Sequence, residues 1–406
     1  MKRVFTDARL LLPGEEHPQT GSLIIEGEHI VSAAANVEQE GGDGIDCQGR
    51  ILAPGIVDLG VFAIDKPAFR FGGITRAALM PDQSPVLDLP AMIKQSAAEG
   101  KPDLWSHPLA AATIGLEGTH MAEIGLMKRS GAKAVATGRQ WIADSGTMLR
   151  LLQYCRSLDL AVIVHSEDAG LTRGAVATNS ETATRLGLAS APPAAEAISI
   201  ARDIALVRET GAHVHFRQVT TLDGLNLVRA AKDDNLPVTC GITPAHLLLS
   251  DIAISDFRTF TRLSPPLRSE DNRLACLQAV KDGTIDVISS GHDPRGPEDK
   301  RLPYAEAAPG MAGAETLLAL SLTLVRDGTI SIGRLFELLS ANPAKILGVE
   351  AGLLQAGYEA DFILINEDSP WQVDTRKMAA AAGNTPFDGL PVQGRVTAIY
   401  KGGRAY

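Results

Sequence analysis

Hydrophobic and polar positions follow two different rhythms along the chain. Residues 1 to about 52 hold β-rich runs, RVFTDARLLL and GSLIIEGEHIVSA, separated by Gly and Pro, and these read as short strands. The last fifty residues repeat that character in ADFILIN and GRVTAIYKGGRAY. Helical periodicity dominates between the two ends. The pattern predicts a small β-sandwich domain assembled from both termini, residues 1–52 and 353–406, flanking a central domain over residues 53–352.

The central region carries a countable repeat. Eight apolar, strand-like runs occur: GIVDLGVF (55–62), GITRAALMP (73–81), HPLAAATIGL (107–116), GAKAVATG (131–138), AVIVHSE (161–167), HVHFRQVT (213–220), PVTCGIT (237–243) and DVISSGHD (286–293). Helix-like segments fill most intervals, such as 145–158, 192–210 and 222–234. Eight such strands alternating with helices predict an α/β fold of the parallel (β/α)8 TIM barrel type, with any active groups at the C-terminal ends of the strands. One interval is short. Only AIDKPAFRFG separates the first two strands, so the first helix is expected to be truncated or missing.

Bulk properties narrow the function classes. The chain has 406 residues with a net charge of -10, which argues against nucleic acid and anionic membrane surfaces as partners. Four cysteines, Cys47, Cys155, Cys240 and Cys276, lie far apart without a CxxC pair, so neither a zinc knuckle nor a disulfide framework is expected. With no apolar run long enough to span a membrane and no signal-like start, the expected location is the cytoplasm.

Ten motifs in order give the chain a family resemblance. They are LAPGIVDL (52–59), GGITRAALMP (72–81), VHSEDAGL (164–171), APPAAEA (191–197), CGITPAHLLLSD (240–251), LSPPLR (263–268), GHDPRG (291–296), APGMAGAETLLAL (308–320), ANPAKILGV (341–349) and NTPFDGL (384–390). The chain resembles the dihydroorotases of the amidohydrolase superfamily over essentially its whole length. That resemblance implies an amidohydrolase-type barrel and a reversible cyclisation of carbamoyl aspartate, with one or two zinc ions activating water.

The ligand positions implied by the resemblance are degenerate. Asp58 of the opening motif stands, but its two histidine positions read Gly60 and Phe62, and the substrate arginine position reads Ile64. The bridging carboxylate position falls at Thr137 or Gly138, the sixth-strand histidine at Gln218, and the aspartate that is ligand and base at Gly291. The substrate asparagines are also lost, with Asp82 and Gln83 in MPDQ and Ser264 in LSPPLR. Only His165 remains, and one imidazole does not hold zinc. No catalytic residue and no cofactor are therefore expected.

Several residues admit a second reading. His165, His292, Asp293 and Asp58 form an alternative zinc site for an active dihydroorotase or related cyclic amidohydrolase. Against it, His165 reads as a strand-end histidine satisfied by Glu167 or Asp168, and Asp293 as a turn cap before Pro294. His213 and His215 share one strand face, and Gln218 has the opposite parity, so the histidines read as packing or interface residues. His246 is assigned no chemistry. Ser145, with Asp144, reads as a helix N-cap rather than a nucleophile. GGDG (41–44) reads as a turn rather than a phosphate loop. By the resemblance, the chain is expected to be an oligomer that partners aspartate carbamoyltransferase in pyrimidine biosynthesis. A third reading has the emptied mouth holding a pyrimidine intermediate without converting it.

Overall fold

The computed structural model describes residues 2–35 and 43–406. Gly41 and Gly42 of the GGDG stretch lie outside the described residues.

The central strands are apolar because they are covered on both faces. Ile56–Val61 and Ile74–Leu79 are buried along their whole lengths. In chain order the parallel strands are Ile56–Val61, Ile74–Leu79, Trp105–Pro108 continued by Ala110–Ala111, Val135–Ala136, Val162–Val164, Val214–Phe216, Val238–Ile242 and Val287–Ile288. Each of the eight expected runs contains a strand or overlaps one. They form one sheet of three strands and one of six, with neighbours in sequence order. The third run is shared. Trp105–Pro108 pairs with Ile74–Leu79, and Ala110–Ala111 pairs with Val135–Ala136. The amide of Phe62, after the first strand, donates to the carbonyl of His292, after the last, at 2.8 Å.

The first crossover helix is truncated rather than missing. Lys66–Gly72 has seven residues; Asp65 caps its first turn by accepting from Ala68 N, and Gly73 ends it in a left-handed conformation. Later crossovers are ordinary amphipathic helices, including Ser145–Ser157, Ala194–Thr210 and Leu222–Asp233. Asp144, not Ser145, is the N-cap of Ser145–Ser157, and its side chain accepts from Thr147 N. The aspartate wins because Ser145 already has helical geometry as the first residue of the helix.

The strands of both termini join one eight-stranded sheet. Its hydrogen-bonded order is Arg404–Ala405, Pro391–Lys401, Phe362–Gln372, Ile51–Pro54, Lys2–Leu10, Gln19–Glu26 and His29–Ala35, with Asp43–Asp46 also on Lys2–Leu10. Phe5, Phe362 and Tyr400 pack at its centre with ring centroids 4.6–5.0 Å apart. Ile51–Pro54 runs almost directly into the first parallel strand, Ile56–Val61.

A buried ionic cluster joins the terminal sheet to the parallel one. Arg76, on the second parallel strand, pairs with Glu359 and with Asp361 (2.9 Å). Lys401 pairs with the same two carboxylates. Trp105 Nε1 donates to Glu359, and the Lys401 ammonium lies 4.3 Å from the Trp105 ring centroid. Burial pulls the Lys401 ammonium below its usual range, opposed by Asp361 and Glu359. Asp361→Asn would leave Arg76 and Lys401 sharing one full carboxylate. Breaking a buried pair costs about 3–5 kcal/mol, so urea unfolding of this variant is expected to show a loss of that order. A loss below about 1 kcal/mol, the range of exposed pairs, would mean the cluster adds little.

Candidate functional site

The C-terminal ends of the parallel strands bring together most of the degenerate ligand positions. Val162–Val164 delivers His165, and Val214–Phe216 delivers Arg217 and Gln218. Phe62, Thr137, Gly138 and Gly291 follow their own strands at the same end. Three of these positions have backbones that suit glycine. Gly60 and Gly291 have φ of +99° and +58°, and a Cβ on Gly138 would lie 2.8 Å from Asp82 Oδ1. Thr137 is used structurally, its hydroxyl accepting from His165 N at 3.2 Å.

His165 has both ring nitrogens engaged. Arg217 Nη2 lies 3.3 Å from Nδ1. A guanidinium only donates, so Nδ1 accepts and the ring proton sits on Nε2. Nε2 faces Glu167 Oε2 at 3.3 Å. Glu167 is thus the partner of His165. Asp168 instead caps the turn Ala169–Thr172. No lone pair on this imidazole is left for a metal.

Glu167 continues the chain of contacts inward. Its Oε1 accepts from Arg268 Nη2 at 2.9 Å. Burial would raise this carboxyl, but the His165 hydrogen bond and the Arg268 charge prevail and lower it to about 2. Arg268 also approaches Glu196 Oε2 at 3.5 Å. Glu196 is fully buried and accepts from the amides and hydroxyls of Thr220 and Thr221. Every charge in this row has a partner, as burial requires.

A second guanidinium sits over Phe62. The Arg139 Cζ is 3.6 Å from the Phe62 ring centroid, and that of Arg217 is 5.2 Å away. The Phe62 ring therefore faces two cations. Arg139 pairs with Asp293 at 2.7 Å, and Arg295 pairs with Asp293 at 3.0 Å. Asp293 is an ion-pair residue and not the turn cap expected from its sequence, because two guanidiniums reach its carboxylate. Asp82 Oδ1 accepts from Arg139 N at 2.9 Å, and Gln83 donates to the carbonyls of Phe62 and Met80.

The four residues of the alternative zinc site are committed elsewhere. Asp58 accepts from the amide (2.9 Å) and the hydroxyl of Ser290, and burial raises its carboxyl. His292 Nδ1 accepts from Ala314 N at 3.3 Å, and its Nε2 faces Asp65 Oδ2 at 3.4 Å. Its ring also packs edge-on against Phe69. Asp293 serves Arg139 and Arg295. Among the described residues no three His, Cys, Asp or Glu side chains group to hold a metal ion. The donor set does not fit zinc.

His213, His215 and His246 are buried or half-buried and hydrogen-bonded. His213 and His215 both contact the Thr239 hydroxyl, at 3.1 and 3.0 Å, and burial lowers His215 to about 3. His246 bridges the Thr243 hydroxyl (2.8 Å) and the Pro265 carbonyl (3.0 Å), and burial lowers it to about 4. Ile64 packs against the core instead of presenting a charge.

What remains open is a niche of about 20 Å³, lined by Phe62, Arg139, Arg217, Gln218, Thr243 and Gly291 among others. About 10–15 Å³ of such space admits one water, and small-molecule pockets span roughly 300–1,000 Å³. A pyrimidine ring does not fit. Arg217, Arg139, Arg268 and Glu196 were not singled out by sequence reasoning. The available signal was a charged residue ending an apolar run with the parity of His213 and His215, namely Arg217.

Comparison with known proteins agrees with this architecture. The profile described as the amidohydrolase family matches residues 84–406. A dihydroorotase of Pelotomaculum thermopropionicum is 36% identical over 396 residues, covering 94% of this chain and 92% of that one. A dihydroorotase of Syntrophus aciditrophicus is 34% identical over 421 residues, covering 100% and 99%. Among solved structures, the L-hydantoinase (dihydropyrimidinase) from Arthrobacter aurescens superposes with a TM-score of 0.89 at 22% identity, over 99% of this chain and 95% of that one. Motifs, strand order and these matches converge on one conclusion: the chain belongs to the amidohydrolase family, and its curated relatives include dihydroorotases.

Proposed function

We propose that the chain is a non-catalytic dihydroorotase homologue, a cytoplasmic pseudoenzyme of pyrimidine biosynthesis that acts as a structural partner of aspartate carbamoyltransferase. We read its two parallel sheets as a (β/α)8 barrel closed between the first and last strands, with the Phe62–His292 backbone hydrogen bond in support. The observation that carries the functional reading is the state of His165. The other ligand positions hold Gly60, Phe62, Thr137, Gly138, Gln218 and Gly291, and the one surviving imidazole is spent on Arg217 and Glu167.

The chemistry follows from that arrangement. Hydrolysis of a cyclic amide needs an activated water, a base for its proton and a polarised carbonyl. At the base position Gly291 has no side chain. The niche beside it, about 20 Å³, is too small for the ring. Selection on an outer surface can keep such a fold while its pocket changes. The partner role rests on resemblance to inactive family members and on relatives named dihydroorotase.

Two experiments bear on this reading. After chelation and reconstitution with zinc, the purified chain is expected to hold far less than one equivalent of metal and to give no dihydroorotate turnover above background. One tightly held equivalent with turnover would overturn the loss of catalysis. Separately, affinity capture from the native host is expected to bring down aspartate carbamoyltransferase, and deleting this chain is expected to impair the transferase. A transferase of full size and activity in the deletion strain would overturn the partner role while leaving the first result standing.

A further inference from the structure

The guanidiniums at the strand ends are not equally neutralised. Arg139 and Arg295 each pair with Asp293, and Arg268 pairs with Glu167 and Glu196. Arg217 forms no ion pair among the described residues. Its Nη2 contacts a neutral imidazole, and its Nε is buried without a hydrogen-bond partner. Only 4% of the residue is exposed. Burial lowers it to about 10, so it stays charged at neutral pH. The Phe62 ring offsets part of that charge. A buried cation lacking a counter-charge is otherwise strongly unfavourable.

Arg217 also lines the niche of about 20 Å³. Gln218 lines it too, and its Oε1 is likewise buried without a partner. Its NH2 lies on the Gly291 side of that space, 3.6 Å from where a Cβ on Gly291 would sit. The volume admits a group only slightly larger than one water. Asp82, Asp293 and Glu167 act on Arg217 through space without pairing with it. Asp293 and Glu167 are held by other guanidiniums, whereas Asp82 accepts only from a backbone amide among the described residues.

We infer that this niche binds a small anion, a halide or a carboxylate of formate size, as the counter-ion of Arg217. The polarity of the site is thereby inverted: the positions that would surround a metal cation surround a fixed guanidinium and its anion. The inference goes beyond the partner reading and does not depend on it.

Thermal unfolding at constant ionic strength tests it, exchanging bulky gluconate for chloride or formate. A saturable rise in Tm of a few degrees is expected, because a ligand that binds only the folded state stabilises it. The chloride and formate arms separate a halide from a carboxylate. Asp82→Asn, which removes a competing negative charge, is expected to shift saturation to lower anion concentration. Arg217→Met is expected to abolish the rise. No saturable rise in the unaltered protein, an equal rise in Arg217→Met, or an equal rise with sulfate would overturn the inference. If Arg217→Met fails to fold, bromide-soaked crystals of the unaltered protein decide: an anomalous peak within hydrogen-bond reach of Arg217 Nε supports the site, and none there overturns it.

Discussion

The hydrogen bond from Arg217 to His165 organises the side chains at the strand ends. It is a 3.3 Å contact between a permanent cation and a ring nitrogen. It assigns the imidazole tautomer, and the tautomer assigns Glu167 as acceptor of the other ring proton. Glu167 in turn holds Arg268, and Arg268 reaches Glu196. Glu167, Arg268 and Glu196 neutralise one another in this row, whereas Arg217 has no paired carboxylate among the described residues. The Arg217 guanidinium supplies positive charge at the strand ends but no lone pair for a metal.

The remaining positions reinforce that arrangement. Phe62 places a ring face beside two guanidiniums. Gly138 leaves room for Asp82, which fixes the backbone of Arg139. Gly60 and Gly291 have left-handed backbones in which a histidine or aspartate would be strained. Placing a metal-ligating side chain at either position would require a change of backbone as well. The scaffold meanwhile depends on interactions elsewhere. The Arg76–Glu359–Asp361–Lys401 cluster and the aromatic trio Phe5, Phe362 and Tyr400 lie on the terminal sheet or its junction, apart from the niche-lining residues. Fold and site can therefore diverge independently.

Much of the architecture was legible in the sequence. Buried parallel strands read as short apolar runs, so all eight were visible, and the ten-residue gap correctly implied a shortened first helix. The residue types at the positions the resemblance implies were legible too: glycine and phenylalanine offer no lone pair. The replacement was not. Arg217 adjoins Gln218 in HFRQVTT, and nothing local in that run marks it as a contact of His165. Its partner His165 lies 52 residues away and meets it only across two adjacent strands. Asp293 looked like a turn cap because Pro294 follows it, yet Arg139, 154 residues distant, claims its carboxylate. Long-range ion pairs leave no periodic trace in a single sequence.

The most direct measurement is an experimental structure of crystals grown with excess zinc. The account predicts that Arg217 Nη2 still rests on His165 Nδ1 and that no metal density appears beside the imidazole. A zinc ion on His165, gripped by further side chains of this chain with the Arg217 guanidinium swung aside, would contradict it.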